Sequence, residues 1–184
     1  MSSYSYKFCV QSEDQEAIID LLFSLREELC LPDRQSCQKI TEHCFAHGGV
    51  FGAYDGPLLT GMMGFFYGEP GCDYANKEVV FMYVAGIRPE YRLSRIFLIG
   101  LRIVLQAFQE KGLKGLKLQA AANNPYTNRL YSRFADHIGS GVSLRGYKTV
   151  TYGSSIHDAL KRLQRGKRRR VAAQDGCRML SAVR

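Results

Sequence analysis

Residues 83–97 read YVAGIRPEYRLSRIF and carry the clearest structural pattern of the sequence. It begins as an apolar strand, passes through a turn that contains Pro89, and continues into a long helix with an apolar stripe. The first N–H groups of a helix have no partner within the helix, so a strand–turn–helix unit of this kind can bind an anionic group. The stretch therefore predicts a strand and a helix that are joined by an anion-binding turn.

A second stretch, residues 124–131, reads NPYTNRLY. Asn124 is typical of a helix N-cap, and Pro125 is typical of the first helical position. The pattern predicts a short helix that carries Tyr131 on its second turn. A tyrosine on such a neighbouring helix can supply a proton beside a bound ligand.

The remaining elements complete a mixed sheet. A capping-box pattern at residues 12–15 predicts a first helix capped by Ser12 and ending near Leu31. Asp55 and Gly56 predict a hairpin between two apolar strands. The predicted order is β-α-α-β-β-β-α-β-α-β, with one strand between residues 146 and 152 closing the domain. This order predicts an α/β (α+β) fold with a mixed, mostly antiparallel central sheet and helices on both faces.

Length and composition fit one main domain. The chain has 184 residues, of which 46% are hydrophobic and 23% are charged. We expect this domain at residues 1–153, followed at residues 154–184 by an amphipathic helix and a basic tail. The N-terminus lacks a signal-peptide pattern and no apolar run is long enough to span a bilayer, so we expect a cytoplasmic protein without a membrane span.

The net charge of +8 is concentrated at the C-terminus. Residues 161–184 hold nine basic side chains against one acidic one, while the rest of the chain holds sixteen of each sign. A basic tail can bind nucleic acid or an acidic partner by charge alone, here chiefly through residues 161–170. The alternative is a solvated tail that binds nothing. The sequence does not indicate an oligomeric state.

Six cysteines are present, and Cys30, Cys37 and Cys44 are spaced by seven. Because His43 and His47 lie near Cys44, a zinc site is conceivable. The alternative is that these cysteines are small buried hydrophobes. The chain has no CxxC pair, so we expect no metal.

In element order and in the two stretches above, residues 4–152 resemble the GNAT superfamily of N-acetyltransferases. The resemblance implies that a central strand, here residues 83–87, pairs through its main chain with the pantetheine arm of acetyl-CoA. It also implies that the following loop, residues 92–97, holds the pyrophosphate. The coenzyme-binding residues that it implies are Tyr83, Val84, Ala85, Ile87, Arg92, Leu93, Ser94, Arg95, Ile96, Phe97, Asn124 and Thr127.

The loop departs from the family's Arg/Gln-x-x-Gly-x-Gly/Ala pattern. Arg95 replaces the first glycine and Phe97 replaces the second small residue. Glycine there lets the backbone approach phosphate closely. Arg92 and Arg95 can instead grip phosphate through their guanidinium groups. Phe97 can instead begin the apolar stripe of the helix.

The second stretch resembles the family's Asn-x-x-Ala-x-x-Leu-Tyr pattern, with Thr127 at the small position. This places Asn124 near the pantetheine and gives Tyr131 the role of protonating the departing CoA thiolate. The alternative is that Tyr131 only packs on the sheet. For the general base, the resemblance points to Glu78 at the opening of the central strand.

Glu90 and Tyr83 are alternatives for the base, and a surface charge or a core aromatic is the competing interpretation of each candidate. The resemblance implies an N-acetyltransferase that moves an acetyl group from acetyl-CoA to a primary amine by direct attack in a ternary complex. The acceptor pocket is then expected near residues 30–48. The alternative function is an inactive protein of the same fold that uses its basic tail for nucleic-acid binding or for assembly with other chains.

Overall fold

The computed structural model describes residues 4–92, 95–143 and 146–164. Its strands are β1 (Ser5–Phe8), β2 (Gly48–Asp55), β3 (Leu58–Tyr67), β4 (Val79–Ile87), β5 (Gly115–Ala121), β6 (Asp136–Val142) and β7 (Lys148–Ser155). Its helices are α1 (Gln11–Ser24), α2 (Arg34–His47), α3 (Ile96–Glu110), α4 (Pro125–Tyr131) and α5 (156–164). Short 3-10 helices cover Pro70–Cys72 and Pro89–Tyr91.

Within the described residues the strands form one seven-stranded sheet in the order β1-β2-β3-β4-β5-β7-β6. Strands β1 to β4 are antiparallel neighbours, β5 runs parallel to β4, and β7 lies antiparallel between β5 and β6. The mixed, mostly antiparallel sheet confirms the predicted fold class. The hairpin between β2 and β3 is also confirmed, with Gly56 at φ 57°, where a side chain would be strained.

The sheet has a hydrophobic core on each face. Helices α3, α4 and α5 cover one face, called here the α3 face, and α1 and α2 cover the other, the α1–α2 face. Both cores bury large side chains: Phe65, Leu101, Leu105, Phe108, Leu116 and Phe134 on the α3 face, and Ile18, Leu21, Leu22, Leu59 and Phe66 on the α1–α2 face. Strand β3 is apolar almost throughout because it is buried on both faces.

Helix α1 differs from its prediction at both ends. It begins at Gln11 with Val10 as N-cap and no side-chain cap, so the predicted Ser12 cap is wrong. Asp14, not Gln15, reaches back, and its carboxylate accepts from the Val10 N–H at 2.8 Å. The helix ends at Ser24 because the chain continues as turns up to Cys30, whose φ of 54° is incompatible with a helix.

Strand β6 has no counterpart in the sequence prediction. Its sequence, DHIGSGV, contains two glycines, and six of its seven residues are exposed. A strand without a buried side shows no alternation of apolar and polar residues. It forms because β7 pairs with it, through a register shift between His137 and Gly139.

Helix α5 joins the α3-face core. The Ser155 hydroxyl accepts from the Asp158 N–H at 3.0 Å and so caps the helix. Ile156, Ala159 and Leu160 are buried in that core. This packing ties the predicted amphipathic helix to the sheet, while the boundary between residues 153 and 154 stays a prediction.

Candidate coenzyme-binding fork and active site

Strands β4 and β5 pair over only four residues, from Val79 opposite Gly115 to Met82 opposite Leu118. The register between β4 and β3 shifts at the same level, so that Tyr83 is an extra, bulged residue. A bulge bends its strand and increases the local twist. The two strands therefore separate beyond Met82, and the gap between residues 83–87 and residues 119–121 is called the fork.

The predicted pantetheine strand lies along one side of the fork. Val84, Ala85 and Ile87 belong to the part of β4 that pairs with β3 but not with β5, and Tyr83 is the bulged residue at its start. A strand edge that lacks a neighbouring strand presents main-chain N–H and C=O groups to an extended ligand. The fork leaves this edge of β4 without a β5 partner, and its pairing with a pantetheine arm stays a prediction.

The predicted pyrophosphate loop leads into the start of α3. Arg92, Arg95, Ile96 and Phe97 are described, and Leu93 and Ser94 lie outside the described residues. Arg95 is the N-cap residue without a side-chain cap, and α3 begins at Ile96. The Arg95 side chain is exposed, and it forms no ion pair or hydrogen bond with the described residues. Its guanidinium can therefore reach an anion at the positive end of the helix dipole.

Arg92 is engaged within the protein. Its Nη2 lies 2.8 Å from both carboxylate oxygens of Glu28, and its Nε donates to the Ile87 carbonyl at 3.3 Å. Both partners of the ion pair are exposed, so the pair is weak and a phosphate could compete for Arg92. The contact links the end of β4 to the turn region after α1.

Phe97 packs inward. Its ring contacts the α3-face core and lines a small apolar cleft together with Tyr6, Met63 and Ile87. This is the apolar-stripe position that the sequence offered as the alternative for Phe97. The bulk that replaces the family's small residue is thus accommodated by the core beneath α3.

Tyr131 projects from α4 into the α3-face core and is only 8% exposed. Its ring centroid lies 5.9 Å from those of Phe134 and Tyr152. Among the described residues its hydroxyl has no hydrogen-bond partner, and burial raises the pKa of Tyr131 to about 12. The hydroxyl is not among the described side-chain oxygens that are both fully buried and unpartnered, so it can meet solvent or a ligand.

The N-terminus of α4 forms as predicted. Asn124 is the N-cap, and its Oδ1 accepts from the Thr127 N–H at 3.0 Å. That oxygen is therefore committed to the helix, and the amide nitrogen is the part of Asn124 left for a ligand. The roles of Asn124 and Thr127 in coenzyme binding stay predictions.

Asn128 is a positioning residue that the sequence analysis missed. Its Nδ2 donates to the carbonyls of Ala121 at 2.9 Å and Asn124 at 2.7 Å, and its Oδ1 accepts from the Tyr152 hydroxyl at 2.9 Å. These bonds fix α4 to the end of β5 and to the middle of β7 and so set the position of Tyr131. The signal was the second asparagine four residues after the cap, which lies on the same side of the helix.

The three candidates for the general base lie in different places. Glu78 precedes β4 and pairs with Lys114 at 2.7 Å, with both side chains exposed. It lies about 13 Å along the strand from Met82, where the fork begins. Glu90 is exposed in the 3-10 helix beyond the other end of β4. Tyr83 lies at the fork itself. Because Glu78 lies away from the fork, its position does not support a role as the base, and that role stays a prediction.

The cysteines divide into two classes. Cys37 and Cys44 are buried on α2 and fit the interpretation as small hydrophobes, and burial raises the pKa of the Cys44 thiol to about 12. Cys30 is exposed. In the part of the chain that the structure describes, no three His, Cys, Asp or Glu side chains are grouped so as to hold a metal ion.

The basic C-terminal segment is described only up to residue 164. Arg162 forms two hydrogen bonds with the Asp136 carboxylate, at 2.9 and 2.8 Å, so its charge is engaged by β6. Residues 165–170 of the predicted binding segment lie outside the described residues. None of the described helices has the length and apolarity required to cross a lipid bilayer.

No protein-family model matches the chain, and no curated protein sequence matches it. Solved structures match its fold. A GNAT-family acetyltransferase from Staphylococcus aureus Mu50 superposes with a TM-score of 0.65 at 15% identity, covering 84% of this chain and 99% of that one. The ribosomal-protein-S18-alanine N-acetyltransferase from Escherichia coli gives 0.63 at 10% identity, covering 84% and 94%.

A third structural neighbour, yncA from Salmonella typhimurium, is described as an acetyltransferase and was solved with its cofactor acetyl-CoA. Its TM-score is 0.62 at 14% identity, over 83% of this chain and 94% of that one. At these identities the likeness concerns the fold. The β4–β5 fork, the α3 start and the capped α4 therefore belong to a chain that has the fold of the GNAT N-acetyltransferases.

Proposed function

We propose that the chain is an N-acetyltransferase that moves an acetyl group from acetyl-CoA to a primary amine by direct attack in a ternary complex. The observation that carries the proposal is the fork, where β4 offers an edge that β5 does not cover. The start of α3 lies beyond one end of this edge, and α4 presents the unpartnered hydroxyl of Tyr131. The acetyl-CoA bound to a protein of the same fold supports this reading.

The coenzyme would lie along the fork. The main chain of residues 83–87 would pair with the pantetheine, and the Asn124 amide would lie beside it. The pyrophosphate would be held by the loop of residues 92–97, where the exposed Arg95 supplies the charge and hydrogen bonds that the family's glycine loop takes from backbone N–H groups.

Tyr131 would protonate the departing sulfur. A phenol of pKa about 12 stays protonated at neutral pH, so Tyr131 acts as a donor and not as a base. It is a weak acid for a thiolate of ordinary pKa. Burial beside Tyr131 would raise the pKa of the CoA thiol as well, which would reduce the mismatch between the donor and the departing thiolate.

Calorimetric titration with acetyl-CoA tests the proposal. We expect heat of binding for the wild type, and an affinity within about twofold of it for Tyr131→Phe. Turnover, measured as release of free CoA thiol with a panel of primary amines, should fall by about 100-fold in Tyr131→Phe because general acid catalysis is lost. An equal loss of affinity would make Tyr131 structural, and no heat with the wild type would refute the assignment.

The phosphate contact has its own comparison. Arg95→Ala should lower the affinity for acetyl-CoA by about tenfold, since a hydrogen bond to a charged group contributes about 1.5–3 kcal/mol. It should leave acetyl-pantetheine, which lacks the pyrophosphate, unaffected. The matched control is Arg133→Ala, which replaces an exposed arginine at the end of α4 and should change the affinity for neither ligand. If both ligands weaken equally in Arg95→Ala, the loop does not hold the pyrophosphate.

The basic tail favours a second candidate function, binding of nucleic acid or of an acidic partner, with or without transferase activity. Residues 165–170 carry five of the seven basic side chains in the segment 161–170. Such binding would depend steeply on salt. Retention on heparin that is lost when the chain is truncated after residue 164 would support it, and unchanged retention would refute it. The cytoplasmic location also stays a prediction.

A further inference from the structure

Five ring side chains meet on the α1–α2 face beside the fork. This ring cluster consists of His43, His47, Phe66, Tyr74 and Tyr83. Tyr83 is the bulged residue of β4 and is 36% exposed, and its ring centroid lies 4.6 Å from that of Phe66 and 6.3 Å from that of His43. Tyr131 belongs to the α3-face core, so the ring cluster lies on the face of the sheet opposite Tyr131.

Within the cluster, Tyr74 and His43 form a short hydrogen bond. The Tyr74 hydroxyl lies 2.7 Å from His43 Nε2. His47 stacks on the Tyr74 ring at 4.1 Å and 12°, which fixes the orientation of the phenol. Tyr74 and its neighbour Asp73 both have left-handed backbones, with φ of 54° and 50°. Strained backbone of this kind in non-glycine residues is concentrated at functional sites.

The groups around His43 favour its neutral form. Burial, and then His47, lower the pKa of His43, so its imidazole is uncharged at neutral pH. The other titratable groups that face the Tyr74–His43 pair are Tyr83 and Cys44, with Asp73 and Lys77 beside Tyr74. When the Tyr74 hydroxyl donates to the neutral Nε2, that nitrogen can accept the phenol proton as the phenol oxygen receives another.

An alkyl ammonium group already lies against the cluster. The Lys77 Nζ is 5.3 Å from the centroid of the Tyr74 ring and donates to the Tyr67 carbonyl at 3.1 Å. The faces of tyrosine rings attract ammonium groups. A primary amine is therefore chemically compatible with this surface.

We propose that the ring cluster is the acceptor site of the proposed transferase, and that Tyr74 and His43 together remove the proton of the amine. The inference rests on the proposed function and names its acceptor class, a primary amine on an aromatic or apolar carrier. The carrier would pack against Phe66 and Tyr83, and the amine nitrogen would lie between Tyr74 and the fork. Neither Glu78 nor Glu90 is needed as the base.

The proton steps balance. The ammonium gives one proton to the Tyr74 oxygen while the Tyr74 proton passes to His43 Nε2, and His43 later releases it to water. The amine lone pair then forms the C–N bond with the thioester carbon, and the C–S bond breaks. The sulfur takes a proton from Tyr131, which regains one from water, and the nitrogen loses its second proton to water. The products are the amide, free CoA and one released proton.

The test is the pH dependence of kcat/KM for phenethylamine at saturating acetyl-CoA. In the wild type, kcat/KM should rise with pH until His43 is neutral and then stay level up to the pKa of the amine, because the enzyme deprotonates the ammonium form. In His43→Gln and Tyr74→Phe it should be about 100-fold lower at pH 7 and rise tenfold per pH unit, because only free amine reacts. The double variant should be no slower than either single variant, since the two residues act as a unit.

The matched control is His157→Gln, which removes an exposed histidine on α5 and should keep the wild-type profile. All variants should bind acetyl-CoA as the wild type does in calorimetry. A profile that stays level in His43→Gln or Tyr74→Phe overturns the inference, and so does a parallel loss of acetyl-CoA affinity, which would make these residues structural.

A measurement on the unmodified protein adds a second test. Addition of phenethylamine should shift the imidazole ¹⁵N resonances of His43 in the wild type, and no shift overturns the acceptor site. If the wild type binds acetyl-CoA but does not acetylate phenethylamine, the acceptor assignment is wrong and the coenzyme site stands. If acetyl-CoA gives no heat, the proposed function itself is refuted.

Discussion

Replacement of Asn128 by alanine tests whether one side chain fixes α4 to the sheet. The change removes four hydrogen bonds: from Nδ2 to the carbonyls of Ala121, Ala122 and Asn124, and from the Tyr152 hydroxyl to Oδ1. We expect Asn128→Ala to lower the free energy of unfolding and to displace Tyr131, so that both stability and turnover decrease.

The expected decrease in the free energy of unfolding depends on which polar groups lose their hydrogen-bond partners. Tyr152 is 6% exposed, so its hydroxyl loses its partner in a buried position, which costs about 1–3 kcal/mol. Water can replace Nδ2 at the Asn124 carbonyl, since Asn124 is exposed. Alanine also favours the helix over asparagine by about 0.5 kcal/mol. The expected net change is about 2 kcal/mol, which lowers Tm by about 4–8 °C for a chain of this size.

Urea unfolding with a double-mutant cycle provides the measurement. Tyr152→Phe alone should lower the free energy of unfolding by about 1 kcal/mol. The double variant should lower it by about as much as Asn128→Ala alone, because in the double variant no Tyr152 hydroxyl is left unpaired. Asn123→Ala, in the exposed turn before α4, is the matched control and should stay within about 0.5 kcal/mol of the wild type. Strict additivity of the two changes, or a loss below 0.5 kcal/mol for Asn128→Ala, would contradict the proposed role.

Two further predictions concern stability. Burial by itself raises the pKa of Asp14, but hydrogen bonds from the Val10 N–H, Lys7 and Tyr54 outweigh it, so the net pKa is lowered. The contribution of Asp14 to the free energy of unfolding is therefore complete above the ordinary carboxyl pKa and is lost as pH falls through the lowered value. Asp14→Asn should remove this part of the fall in the urea midpoint between pH 6 and pH 2. A steeper acid loss in the variant would contradict this sign. Gly64→Ala would place a methyl carbon 2.7 Å from Cys44 Sγ and 2.9 Å from Val84 Cγ1, and should destabilise the protein by about 1–3 kcal/mol in the same assay. Gly139→Ala, with no atom within 4 Å of the added carbon, should stay near the wild type, and equal losses would show that the β3–α2 contact is not tight.

The sequence predicted those elements whose own residues determine them. The Asn124–Pro125 start of α4 and the Asp55–Gly56 hairpin are confirmed because capping and turn chemistry act over a few residues. The start of α1 is set instead by tertiary contacts. Asp14 is bound by Tyr54 from β2 at 2.9 Å and by Lys7 from β1 at 3.0 Å, so its carboxylate, not the Ser12 hydroxyl, organises the first turn.

The candidate site could be predicted on one face of the sheet only. Tyr131 and Arg95 follow a sequence pattern, so their places on α4 and at the start of α3 could be expected. The pairing of Tyr74 with His43 could not, because 31 residues separate them and the contact depends on how the β3–β4 connection folds back over α2. Local patterns do not encode such a contact, and a histidine on an exposed helical turn is usually interpreted as a surface residue.

The bulge at Tyr83 connects the two faces. In a regular strand, Tyr83 and Val84 would point to opposite sides of the sheet. The bulge places both on the α1–α2 side, where Tyr83 contacts Phe66 and Val84 packs against the same core, while Met82 and Ala85 remain on the α3 side. The same irregularity ends the pairing of β4 with β5. One extra residue thus accompanies the opening of the gap and brings an aromatic ring to the face opposite Tyr131. In the proposed mechanism, a proton donor and a proton acceptor would approach the thioester from these two faces.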